Sequence, residues 1–221
     1  MYNSVTVSAG TLYSKKFLTL LSSDYRTAVI NSLPVNGAGV ATAFIKGELT
    51  VNRFIPARKA WRLLSAPVYS GTAPTIHQAW QEGLTTASAN PNLYPGFGTH
   101  ITGGTVANGY DQGPTVNTSI KIYNNTTNAW TQLPTATGTN IPITNYQGYF
   151  VYIRGDRSFN MSAATSAPAT KTILEIKGEA NTGRFTVPVN AKNYTVVGNP
   201  YACPIHFDSV WNNAGNTVAQ Q

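Results

Sequence analysis

A chain of 221 residues, 42% hydrophobic and only 10% charged, can bury about 70% of the surface its unfolded form exposes, enough for one substantial core. Its polarity comes from Thr, Asn, Ser and Gly rather than from charge, which disfavours long helices and suits strands and turns. A net charge of +7 raises nucleic-acid binding, but the basic residues concentrate only at Arg53, Arg58, Lys59 and Arg62 in "VNRFIPARKAWR", without the arms or motifs that nucleic-acid readers carry, so no such partner is expected.

A lone cysteine, Cys203, excludes an internal disulfide and a paired-thiol zinc or redox site. The opening "MYNSVTVSAGTLYSKK" lacks the basic start and apolar stretch of a targeting signal, and no apolar run reaches the roughly 20 residues that span a bilayer, so no membrane insertion is expected. These first residues already read as strand. Residues 1–30 are therefore expected to be an N-terminal strand segment that continues from, or pairs with, a neighbouring unit.

Strand signals follow in order. "FLTLLS" is the first, and "ATAFIKGELTVNRFI" places Ile45, Leu49 and Val51 on one face with Lys46, Glu48, Thr50 and Asn52 on the other, the period-2 pattern of a half-wet sheet. "AWRLLSAPV" comes next. From about residue 67 to 114 the chain is rich in Gly, Pro and Asn and predicts a long loop-rich excursion, interrupted by a short helix in "PTIHQAWQEG", where Thr75 and Gln78 have capping-box spacing and Gly83 offers a stop. "TSIKIY" and "AWTQL" predict a hairpin across Asn124 to Asn128 with Trp130 turned inward. "GYFVYIR" is apolar on both faces and predicts a central strand, and "TKTILEIKG" alternates again, followed by "RFTVPV" and "YTVVG". Asp208 is placed to cap a last helical turn in "FDSVWNN".

These elements predict an all-β fold: an antiparallel sandwich, jelly-roll-like, over residues 31–221, with one or two very short helices and the insertion at about 67–114.

Few constellations point to chemistry. "IYNNTTNAWTQLP" has the look of a Kelch blade hairpin, but a propeller needs several copies and one is present. Arg154, Gly155 and Asp156 spell the integrin tripeptide, although Gly-Asp after a strand is ordinary turn chemistry. The eight carboxylates include no close catalytic pair, and nucleophile-elbow, zinc-protease and phosphate-loop motifs are missing. No catalytic residue, metal site or cofactor is expected.

Two features remain. His77, His100 and His206 would have to converge with Cys203 and Asp208 to react, and Pro204 interrupts any helix joining Cys203 to His206. The motif "TVVGNPYACPIHFDSVWN" reads instead as scaffold: Gly198 supplying an unusual backbone angle, Asn199 an Asx turn, and Pro200 and Pro204 a rigid exit. Among the aromatic residues, Trp61 and Trp130 lie in strands and are expected in the core. Tyr94, Phe97 and Tyr110, in the excursion, are the candidate sugar-stacking set.

The segments "LTLLSSDYRTAVI", "IKGELTVNRFIPARKAWRLLSAPV", "TIHQAWQEG", "NPNLYPGFGTHITGG", "GYFVYIRGDRS" and "VVGNPYACPIHFDSVW", in this order from Leu18 to Trp211, resemble a module of very large Bacteroidota surface proteins. The resemblance implies an extracellular, adhesin-like protein of the outer cell surface, exported by type IX secretion and without an assigned reaction. Members of that family read Ser and Asp where this chain has Cys203 and His206, which favours a structural motif. The resemblance also implies O-glycosylation at Asp208-Ser209-Val210. The expected role is a non-enzymatic surface module for adhesion or spacing, the alternatives being a carbohydrate-binding module and a filament subunit assembled by strand exchange. Surface glycans and neighbouring copies are the expected partners.

Overall fold

Where apolar and polar residues alternate cleanly, strands form and pair with their apolar sides facing one way. The computed structural model describes residues 3–38, 40–69, 74–82, 95–111, 117–134, 137–158, 169–189 and 193–212. In these, the strands are β1 (Ser4–Val5), β2 (Gly10–Tyr13), β3 (Thr19–Leu20), β4 (Val29–Ile30), β5 (Ala43–Lys46), β6 (Glu48–Ile55), β7 (Ala60–Leu64) and β8 (Val68–Tyr69), then β9 (Ile120–Asn124), β10 (Ala129–Gln132), β11 (Tyr149–Ile153) and β12 (Thr172–Ala180). The helices are single turns, α1 (Ile76–Trp80) and α2 (Phe207–Trp211), with 3-10 turns at Val106–Asn108 and Gly138–Asn140.

The expected all-β class is what the chain adopts. One four-stranded sheet has the order β10-β9-β11-β7 and is antiparallel throughout; a second has the order β3-β6-β12-β8. The inward side chains Ile120, Tyr149, Val151 and Ile153 of the first join Leu49, Val51, Ile55, Leu174 and Ile176 of the second in a single core. Trp80 of α1 packs edge-on to Tyr149, with ring centroids 5.2 Å apart. This is a sandwich-like arrangement.

The N-terminal residues depart from a wholly antiparallel plan. β1 pairs with β4, β2 with β5 and β3 with β6, all in parallel, because residues 4–20 run alongside residues 29–51 in the same direction. The segment thus pairs within its own chain, although β2 stays exposed along its length.

Local chemistry explains several boundaries. Gly47 adopts φ +86° and splits the run from Ala43 to Ile55 into two strands. Thr50 and Asn52, expected on a wet face, are buried, at 9% and 5% exposure. The capping box of α1 forms as its spacing predicts, Thr75 Oγ1 accepting the Gln78 N–H while the Gln78 side chain accepts the Thr75 N–H. Gly83 lies outside the described residues; the left-handed residue that ends the turn is Glu82, at φ 58°. The β9–β10 hairpin closes over residues 125–128, its turn held by Asn124 Oδ1 accepting the N–H groups of Thr126 and Thr127. Two predicted strands do not form: residues 184–189 are irregular, and "YTVVG" contributes only an isolated bridge from Val197 to Gln147. Pro188, which lacks an N–H for a ladder, disqualifies the first. α2 begins at His206 without a side-chain cap, and Asp208 sits inside its first turn rather than at the cap.

Candidate ligand-binding face

Sheet pairing sets which aromatic residues share a face. Trp130 lies opposite Tyr123, Phe150 opposite both Lys121 and Leu63, and Tyr152 opposite Trp61. Directly opposed residues project to the same side, so these side chains all stand on the outer face of the β10-β9-β11-β7 sheet, the inner face being taken by Ile120, Tyr149, Val151 and Ile153. The rings form a continuous row. Centroid distances are 5.4 Å from Tyr123 to Trp130, 5.1 Å from Trp130 to Phe150, 4.7 Å from Phe150 to Trp61 and 5.5 Å from Trp61 to Tyr152.

This overturns the expectation that Trp61 and Trp130 sit in the core. Trp61 is 36% and Leu63 65% exposed, and Trp130 is half-buried against its neighbours. Strands with apolar residues on both faces carry no alternation to say which face is inward, and here Ile and Val take the inner side. "GYFVYIR" is indeed the central strand, and the rings of Trp61 and Trp130 cover its outer side.

Two cations lie against the row. Lys121 Nζ lies 5.3 Å from the Trp61 ring centroid and the Arg154 guanidinium 4.9 Å from that of Tyr152, both within cation–π range. The hairpin tip beside it is braced by Asn128, which accepts from Tyr123 Oη at 3.3 Å and donates to Asn193 Oδ1 at 3.0 Å.

The predicted stacking set fares differently. Tyr94 lies outside the described residues. Phe97 is half-buried and its backbone bridges to Ile173 of β12. Tyr110 is 2% exposed, too buried to stack on a ligand, because Gly104 and Gly138 allow its ring to pack against bare backbone. The described part of the excursion from Pro95 to Asp111 is thus a packed cover, clamped by a buried polar network. Arg157 donates to the Gln81 carbonyl and to Asp111 Oδ1; Gln81 Nε2 donates to Asp111 Oδ2 at 2.8 Å; and the Ile101 N–H donates to the same oxygen at 3.0 Å. Burial alone would raise the Asp111 pKa, but His100 and the Arg157 guanidinium hold the carboxyl below the usual range. Sequence reasoning missed this network because its members are spread from residue 77 to 157; isolated Gln, Asp and Arg residues give no local signal.

Of the imagined reactive group, the structure gathers only part. His77 and His100 join the Asp111 network, His77 Nδ1 lying 3.1 Å from Gln81 Oε1. His206 and Asp208 stand exposed on the C-terminal turn, 3.7 Å apart. Cys203 is half-buried and burial pushes its thiol pKa up, the opposite of an activated nucleophile. Among the described residues no three His, Cys, Asp or Glu side chains are grouped to hold a metal ion, and no helix is long and apolar enough to cross a membrane.

The motif around Gly198 is tied down as scaffold. Asn199 Oδ1 accepts the Tyr201 N–H at 2.9 Å, the expected Asx turn, and its Nδ2 donates to the Cys203 carbonyl at 2.7 Å. Pro200 lies between them with its carbonyl accepting from Asn181 Nδ2, and Pro204 is exposed at the exit. Gly198 is needed for a different reason from the one expected: its φ is not positive, but a Cβ would lie 2.5 Å from Ser65 Cβ and 2.7 Å from the Gln147 carbonyl oxygen. The integrin-like tripeptide is also structural, since Asp156 is 7% exposed and accepts from the Gly96 N–H, Ser158 and Thr170.

Comparison with known proteins yields no match, whether to a protein family, to a curated protein or to a solved structure.

Proposed function

We propose that this protein is a non-enzymatic glycan-binding module of an extracellular bacterial surface protein, serving adhesion rather than catalysis. The observation that carries the reading is the outward aromatic row from Tyr123 to Tyr152 with Lys121 and Arg154 laid on its rings. Sugar rings present apolar C–H faces bounded by hydroxyls, which suits an aromatic surface edged with hydrogen-bond donors. The face lies on a paired, antiparallel sheet, so the rings are held in place before a ligand arrives and little ordering entropy is lost on binding. The resemblance to Bacteroidota surface modules supports the cellular setting, type IX export and an outer-surface location. The jelly-roll arrangement belongs to this proposal too, as the strand plan on which such modules are commonly built.

The test is a glycan array probed with the chain and with Trp61→Ala, Phe150→Ala and Phe97→Ala variants. At least one glycan should bind. Removing a central aromatic anchor costs about 2 kcal/mol or more, roughly a thirtyfold loss of affinity, in Trp61→Ala and Phe150→Ala, whereas Phe97→Ala should bind as the parent does. An array without hits, or hits indifferent to Trp61, would overturn the reading.

A further inference from the structure

The inner faces of a sandwich are expected to be apolar, yet two arginines break that rule at one margin of this one. Arg53 on β6 lies opposite Leu174, and Arg62 on β7 lies opposite Val151, so both project from the inner sides of their sheets. They line a shared basic recess of about 540 Å³. All eight side-chain carboxylates of the chain are described, and among the described residues none forms an ion pair with either arginine. Arg62 Nε is buried with no hydrogen-bond partner there. A buried guanidinium donor without an acceptor is costly, and an anion in the recess would supply one to Arg62 while pairing with Arg53, whose side chain reaches solvent at the mouth.

Behind the recess lies a cavity of about 570 Å³, within the roughly 300–1,000 Å³ of small-molecule sites. Thr27, Arg53, Leu63 and Leu64 line both, so the two adjoin. The cavity is apolar in depth, walled by Leu64, Trp80, Leu174 and Ile176, and closed on one side by the Val196 to Pro204 segment. That gives the Gly198 motif a purpose: it shapes a wall.

We infer that this cavity binds a small amphipathic anion, with the apolar body against Leu64, Leu174 and Ile176 and the anionic head between Arg53 and Arg62. The recess meets the aromatic face at Trp61 and Leu63, which line its rim, but the cavity behind it, walled by Leu64, Trp80, Leu174 and Ile176, lies on the other side of the sheet from the ring row.

Trp80 on the cavity wall provides the readout. In a Trp61→Phe background, 12-bromododecanoate should quench tryptophan fluorescence saturably at one equivalent, and unlabelled dodecanoate should displace it at least tenfold more effectively than dodecanol. Arg53→Gln with Arg62→Gln should weaken dodecanoate at least tenfold and leave dodecanol unchanged, with an unaltered thermal midpoint showing that the fold persists. Dodecyl phosphate run alongside identifies the preferred head group; tighter binding of either anion supports the assignment. Absence of saturable quenching, or equal displacement by dodecanol and dodecanoate in the parent protein, would overturn it without touching the glycan reading.

Discussion

Replacing Glu82 by glutamine probes how the long excursion is fastened to the sandwich. Glu82 follows α1 in a left-handed conformation, and its Oε1 accepts the N–H of Glu175, sealing part of the β12 edge. Burial pushes its pKa from 4.5 up to about 8, despite the opposing effect of that hydrogen bond. Between these two values the folded chain binds more protons than the unfolded chain, so this group's contribution to stability falls as pH rises through the window. Linkage over the span from 4.5 to neutrality amounts to roughly 3 kcal/mol lost at pH 7. Glutamine retains the acceptor and removes the charge. Glu82→Gln should therefore match the parent near pH 4.5 and exceed its stability by about 2–3 kcal/mol at pH 7, equivalent to a midpoint rise of roughly 4–10 °C. Urea denaturation at the two pH values measures both. A variant that is less stable at pH 7, or shifted equally at both pH values, would refute the reasoning.

Two further outcomes follow from packing and charge. Gly198→Ala should destabilise by about 1–3 kcal/mol, since its Cβ meets Ser65 and the Gln147 backbone in a close-packed place, and chemical denaturation would detect it. Asp111→Asn should cost about 3–5 kcal/mol, the range for a buried ion pair broken on one side, because Arg157 keeps its charge at 0% exposure; limited proteolysis should then cut within residues 95–111 ahead of the sheets.

Much of the scaffold was legible in the sequence because its signals are local. Alternation in "TKTILEIKG" located β12 and its inward Thr172, Leu174 and Ile176, and Thr75 with Gln78 located α1. The Asn-rich turn located the β9–β10 hairpin. What stayed hidden depends on long-range partners. The N-terminal strands pair in parallel with residues 29–51, for which no local pattern exists. The outward turn of Phe150 was hidden because β11 is apolar on both sides, that of Trp61 and Trp130 because it follows from their pairing with Tyr152 and Tyr123, and the burial of Tyr110 because Gly104 and the distant Gly138 make room for its ring. The inward setting of Arg53 could have been read: it occupies the same parity as Leu49, Val51 and Ile55, an apolar stripe broken by one cation.

The most direct test of the outward aromatic face is the response of the tryptophan indole N–H resonances when a glycan identified on the array is titrated in. Those of Trp61 and Trp130 should move with the same saturation curve while that of Trp80, inside the core, stays in place. Movement of Trp80 with Trp61 and Trp130 unchanged would contradict the account.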